Sequence, residues 1–296
     1  MQSQTIHIVS RAIRYIETHL NNRLELDTVA AALHYSKFYL HRIFTQATGL
    51  TVHEYARRRQ LTEAAKLLVF SQKPILEIAL LSGYESQQAF TDVFRAMYKT
   101  TPAQFREAEE FYPLQLELHL TEEPASADFS KEDLAFASLS DLDDWMELVN
   151  LTIDGYPHLS KTEYMEKLQQ YIAVKNALIL RDKNLIIGAM AFSPDTGSID
   201  FLAVHPQYRH RGITKLFLDK LMDELLCGKE ISLTTYRAGD KADTGYREEY
   251  DRLGFAEREL LIEYGYPTQR FVLPPKNKQE EPFHEPGREQ PISPKP

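Results

Sequence analysis

The chain has 296 residues, 43% of them hydrophobic, with 34 Lys+Arg against 43 Asp+Glu and a formal net charge of -9. That length exceeds one ordinary domain and supplies apolar surface for two cores. No apolar run approaches the roughly 20 residues that span a bilayer, and the N-terminus lacks the apolar stretch of a secretory signal, which sets aside membrane-spanning and exported classes. The single cysteine, Cys227, excludes an internal disulfide framework and fits a reducing cytoplasm. The charge is unevenly spread: residues 1–106 carry 13 Lys+Arg against 8 Asp+Glu, and the remainder carries 21 against 35. A basic first part attracts phosphate, whereas an acidic remainder favours cationic ligands.

Ile6, Val9, Ile13, Ile16 and Leu20 recur at helical spacing until Asn21-Asn22. A motif then appears twice. Val29 to Ser36 with Phe44, Thr51, Glu54 and Tyr55 is echoed by Ile78 to Glu85 with Phe94, Thr101, Gln104 and Phe105. Each copy predicts a short helix, a tight turn and a longer helix, followed by a helix that opens on a Thr-x-x-Glu or Thr-x-x-Gln capping box. Between the copies Leu61, Ala64, Ala65, Leu67 and Leu68 predict a linking helix that ends at or before Pro74. Residues 109–130 form an acidic linker in which Leu114, Leu116, Leu118 and Leu120 alternate as a strand does. From Leu134 the pattern changes to strands at 134–139, 177–180, 185–192, 199–204 and 230–235 and a final strand pair. Helices at 141–153, 161–174, 213–226 and up to Leu253 separate them. The tail from Pro274 holds seven prolines in 23 residues, which predicts disorder.

In such a repeated unit the second helix enters the major groove, which nominates Ser36–Thr48 and Ser86–Tyr98. With Leu40, Ile43, Phe44, Phe90, Val93 and Phe94 inward, the outward readers are Phe38, His41 and Arg42 in the first head and Gln87, Gln88 and Thr91 in the second. Arginine pairs bidentately with guanine, glutamine with adenine, and phenylalanine meets a thymine methyl. Arg57 and Arg58, with Arg59, read as a phosphate anchor that positions without specifying.

These residues resemble the AraC family of bacterial transcription regulators. The likeness rests on Gly83-Tyr84-Glu85-Ser86-Gln87-Gln88, Phe90, Phe94, Thr101-Pro102 and Phe105-Arg106, together with Tyr35-Ser36-Lys37, Leu40, Arg42, Phe44 and Gly49. It implies an all-α double helix-turn-helix domain over residues 1–108 that binds a double-stranded operator in the bacterial cytoplasm, as monomer or homodimer. Asp92 stands where the family often carries arginine, which predicts a second head that binds weakly or reads cytosine.

Farther on, Val204 to Thr214 lies between a strand and an amphipathic helix, a turn whose free N–H groups, Gly212, Arg209 and Arg211 suit a pyrophosphate. Tyr250 to Phe255 ends a helix, with Gly254 as its cap. Together these segments resemble the GNAT superfamily of acetyl-CoA-dependent N-acetyltransferases through Arg209-His210-Arg211-Gly212-Ile213-Thr214 and Leu253-Gly254-Phe255, with Thr214 departing from the usual small residue.

The resemblance implies an α/β (α+β) domain with a mixed, mostly antiparallel sheet over residues 131–273 and acetyl-CoA as co-substrate, with no metal. It assigns Leu202, Ala203, Val204, Arg209, His210, Arg211, Gly212, Ile213 and Thr214 to cofactor binding and Tyr250 to protonation of the departing thiolate. Asp200 is the nearest candidate base, with a water chain as the alternative, and Gly155-Tyr156-Pro157-His158 lies where such enzymes shape the acceptor site. Residues 131–273 carry 17 basic against 24 acidic groups, which favours a cationic acceptor or effector such as a polyamine or aminoglycoside. Two readings remain: a regulator with a working acetyltransferase, or one whose second domain is an inactive sensor that controls DNA binding.

Overall fold

The computed structural model describes residues 3–120, 128–152, 161–209, 211–263 and 265–275. The segment Gly155 to His158, His210 and most of the proline-rich tail lie outside them. The first seven helices are α1 (Ser3–Thr18), α2 (Leu26–Ala32), α3 (Lys37–Thr48), α4 (Val52–Phe70), α5 (Ile75–Leu81), α6 (Gln87–Tyr98) and α7 (Pro102–Ala108). Their starts follow local chemistry. Ser36 and Ser86 accept from the Tyr39 and Ala89 N–H groups, and Thr51/Glu54 and Thr101/Gln104 form the two capping boxes. Each recognition helix buries one stripe: Leu40, Ile43 and Phe44 with α1 and α2, and Phe90 and Phe94 with α5 and the second half of α4.

Residues 111–120 do not form the predicted strand. They run extended along α4, with the Leu114 and Gln115 N–H groups donating to Thr62 Oγ1 (3.0 and 3.1 Å) and the Leu118 N–H donating to the Tyr55 hydroxyl (3.3 Å). The alternation is real, because Leu114 enters the core of the second head and Leu118 that of the first. The partner is a helix whose hydroxyls take the place of a neighbouring strand.

The second domain comprises β1 (Ala135–Phe136), α8 (Leu142–Thr152), α9 (Lys161–Ala173), β2 (Ala177–Asp182), β3 (Leu185–Ser193), β4 (Ser198–Val204), α10 (Ile213–Lys220), β5 (Ile231–Tyr236), α11 (Tyr246–Arg252), β6 (Ala256–Glu263) and β7 (Tyr266–Leu273). The strands make one sheet in the order β1-β2-β3-β4-β5-β7-β6, antiparallel except where β4 meets β5. β1 is shorter than predicted because Ser138 and Asp141 close a capped turn directly after it. Successive residues of β2 face opposite layers, Leu178 and Leu180 towards α10 and α11, Ala177 and Ile179 towards α8 and α9.

The turn between β4 and α10 is held from beneath. Tyr208, 1% exposed, donates its hydroxyl to Asp182 at 2.6 Å, and burial with that carboxylate raises its pKa. His205 caps the same turn by accepting from the Gln207 N–H. Burial first and the Arg209 charge second push His205 down to about 4, against 6.5 unperturbed. The unfolded imidazole therefore takes up a proton between these values while the folded one does not, so stability is lost as pH falls through that window. From pH 7 to pH 5 the native chain is expected to lose about 2 kcal/mol more than His205→Asn, which keeps a capping acceptor but does not titrate. Urea denaturation at both pH values checks this, and equal losses would count against it.

α1 and α4 are joined by an ion pair. Arg59 donates to both Glu17 oxygens (2.9 and 2.8 Å) and to the Gln115 carbonyl, and the two side chains are 8% and 12% exposed. Arg59→Ala is expected to cost about 3–5 kcal/mol, since it strands a buried carboxylate. Exposed Arg42→Ala should move stability by under about 0.5 kcal/mol in the same far-ultraviolet circular dichroism titration.

Candidate functional site

The first surface is the one presented by α3 and α6. Phe38 is 78% exposed, His41, Arg42, Gln87 and Gln88 are exposed, and Thr91 is half-buried, so the sequence-predicted readers lie together on the outward stripes of the two helices. Arg42 lies over the Tyr39 ring at 5.6 Å. Asp92 accepts from Gln88 Nε2 at 2.9 Å, which fixes the direction of one reader.

The arginine triplet divides three ways. Arg57 is half-buried and hydrogen-bonded to His53. Arg58 is 2% exposed and donates through Nη2 to the Ala242 carbonyl of the second domain. It therefore does not anchor phosphate in this arrangement, contrary to expectation. Arg59 serves the buried ion pair with Glu17.

The second surface is a cleft in the sheet. β4 and β5 pair only at Ser198↔Ser232 and then part, which leaves the β5-facing backbone of Phe201–Val204 outside the ladder. A cavity of about 330 Å³ opens there between Leu202 and Ala203 on one wall and Leu233 to Tyr236 on the other. A smaller hollow at the α10 N-terminus is lined by Val204, Tyr208, Arg209, Gly212, Ile213, Thr214 and Glu249, and shares Leu202, Tyr246 and Tyr250 with the cavity. Gly212 takes φ +71° and a Cβ there would meet nothing within 4 Å, so the loop has room above its backbone. Open space, a helix N-terminus and Arg209 together fit a pyrophosphate. Thr214 is buried in the first turn, 6% exposed, and Arg211 lies over the Tyr208 ring at 5.0 Å.

Tyr250, 7% exposed, lies where hollow and cavity meet. Asp200 lines the cavity, and its carboxylate accepts from the hydroxyls of Tyr171 (2.6 Å), Ser198 (2.8 Å) and Ser193. Three hydroxyl donors occupy its acceptor positions and fix its orientation. The same carboxylate and partial burial raise the Tyr171 pKa, burial being the larger cause. Tyr164, Lys167, Tyr171, Tyr236, Tyr246 and Glu263 also belong to the wall and were not singled out from sequence. Tyr246 was within reach, one helical turn before Tyr250 on the same face. Among the described residues no cluster of three or more metal-ligating side chains occurs, and no helix is long and apolar enough to cross a membrane.

Comparison with known proteins matches both parts. A helix-turn-helix domain model covers residues 29–108, and the acetyltransferase (GNAT) family model covers residues 145–255. The chain is 44% identical over 103 residues to the probable transcription factor PqrA of Proteus vulgaris, a match spanning 34% of this chain and 84% of that protein. It is 41% identical over 99 residues to regulatory protein SoxS of Salmonella typhimurium, 33% of this chain and 92% of that one. The match to transcriptional regulator Rob of Salmonella typhimurium, 39% over 104 residues, spans 35% of this chain and only 36% of Rob. Among solved structures, the C-terminal domain of AraT from Geobacillus stearothermophilus has 32% identity and a TM-score of 0.34, over 38% of this chain and 93% of that one. A GNAT-family acetyltransferase from Bacillus cereus has 16% identity and a TM-score of 0.38, over 48% and 96%. On these matches the chain belongs to the AraC family of transcription regulators through its helical first domain, and carries a GNAT-family acetyltransferase domain behind it.

Proposed function

We propose that this regulator works in the cytoplasm, reads an operator with both recognition helices, and uses its second domain to acetylate a cationic amine. The observation that carries the catalytic half is the parting of β4 from β5, with Tyr250 at the junction of the hollow beside the α10 N-terminus and an aromatic, carboxylate-bearing cavity. Acetyl-CoA, when bound, supplies an acetyl group activated as a thioester. Arg209, Gly212, Ile213 and Thr214 hold its pyrophosphate, with Arg211 adding positive charge beside the loop. The Leu202 and Val204 N–H groups, turned by the strand's alternation away from β3 and towards the gap with β5, are oriented to polarise an acyl carbonyl there. Tyr250 delivers its phenolic proton to the leaving sulfur.

On the acceptor side, Asp200 and Glu263 supply negative charge against the single positive charge of Lys167, which lies over the Tyr171 ring at 5.7 Å, and Tyr164 supplies a further ring face. This lining selects a primary amine that carries further positive charge. Asp200 acts there as an electrostatic anchor. The amine proton leaves through water or through the Tyr171 hydroxyl bonded to Asp200.

Release of free CoA from acetyl-CoA over a panel of amines tests this reading. Polyamines are expected to support turnover, and Tyr250→Phe is expected to lower kcat at least about 100-fold with the acetyl-CoA Kd unchanged. Absence of turnover with every amine, or full activity in Tyr250→Phe, would overturn it. On the DNA side, Arg42→Ala is expected to weaken operator binding by about 1–3 kcal/mol, the scale of one good base contact, and to relax preference at one base pair. Unchanged affinity and preference in a binding titration would remove Arg42 from the reading set.

A further inference from the structure

The two domains meet at points that belong to both sites. Gly49 ends α3 with φ +73°, and a Cβ built there would lie 2.6 Å from Cδ of Arg209, so the stem of the phosphate-loop arginine lies directly on the cap of the first recognition helix. The Arg209 guanidinium donates to the Tyr246 hydroxyl at 3.0 Å and lies over that ring, while its Nε is buried with no hydrogen-bond partner among the described residues. At the other head, Lys99 caps α6 and donates to Asp240 Oδ1 at 2.6 Å, where the Asp240 side chain is 4% exposed. Tyr236, a wall of the cavity, packs against the core of that second head and stacks on Tyr246.

We propose that the phosphate loop is also an effector site for DNA binding, and that a coenzyme A pyrophosphate held there strengthens the grip of both heads on the operator. The inference rests on the acetyl-CoA reading of the loop. Arg209 already lines the hollow, so its guanidinium gains an anionic partner while its stem stays on Gly49. A guanidinium fixed at its tip is fixed along its stem, and the stem is what touches α3. Head one is then held to the same body that holds head two through Lys99, and the spacing of the two recognition helices is set before DNA arrives. Ordering supplied by the first ligand is not lost again when the second binds, which is positive cooperativity. The readers Phe38, His41 and Arg42 stay exposed throughout, so the second domain acts on the placement of the heads and does not cover them.

The test uses the full chain, coenzyme A without any amine, and a duplex selected by the chain from a random pool. Fluorescence anisotropy should show the duplex Kd falling about fivefold at saturating coenzyme A, and calorimetry should show the coenzyme A Kd falling by the same factor with duplex present, because coupling is reciprocal. Gly49→Asn keeps a residue that tolerates the left-handed backbone but pushes Arg209 aside. It should bind duplex as before and coenzyme A more weakly, and at saturating coenzyme A it should lose the mutual effect; Lys99→Met should reduce the effect from the other head. An unchanged or weakened duplex Kd in the native chain, with coenzyme A bound by calorimetry, would overturn the coupling and leave the acetyl-CoA reading standing. Full coupling in Gly49→Asn would overturn the Arg209 route. No heat of coenzyme A binding would remove the acetyl-CoA reading, and the coupling with it.

Discussion

The parting of β4 and β5 after one backbone pair is the constraint on which the second domain depends. A sheet that stayed zipped would satisfy its own N–H groups and offer a ligand nothing; one that opens leaves a strand edge inside the fold, protected from the edge-to-edge pairing that threatens an exposed one. The opening is held from both sides. Tyr208 fastens the loop beyond β4 to Asp182 on β2, and β5 is committed to β7 along its whole length. Cavity, phosphate hollow and Tyr250 all follow from this divergence, because each lies along the gap that a continuous β4–β5 ladder would have closed.

A second constraint lies in α4. This 19-residue helix gives Val52, Tyr55 and Ala56 to the core of the first head and, from its opposite face, Leu61, Ala64, Ala65 and Leu68 to that of the second; Arg59 makes the ion pair with α1 on the first of these faces, and Arg58 makes a contact with the second domain. One element therefore carries both heads and connects them to the second domain. The acidic segment behind the heads is fastened to the same helix through Thr62 and Tyr55. Placing a sensor or enzyme behind such a reader needs no long-range device, since the cleft wall and the recognition-helix caps are already in contact.

Much of the fold was legible in the sequence where its causes are local. Ser36, Thr51, Ser86 and Thr101 signalled helix starts because a cap needs only a side chain and the next three N–H groups, and the repeat of Phe44 in Phe94 marked equivalent core positions. The β4 loop was legible through Gly212 and its arginines. Long-range partners were not. Three consecutive arginines look alike in one dimension, yet Arg58 finds a carbonyl 184 residues away and Arg59 a carboxylate 42 residues away. The leucine alternation at 114–120 correctly announced extended chain with two faces, but nothing in it distinguishes a strand neighbour from a helix offering hydroxyls. The hydroxyl shell around Asp200 was likewise hidden, because Tyr171 arrives from a different element.

The central claim is that the open edge of β4 and the α10 N-terminus form one acyl-CoA cleft. Hydrogen–deuterium exchange of the full chain with and without coenzyme A tests it at the amides themselves. The account predicts slowed exchange along Phe201–Val204 and Gly212–Thr214, with little change in β2 and β3. Slowed exchange elsewhere, with those two segments unaffected at saturating ligand, would contradict it.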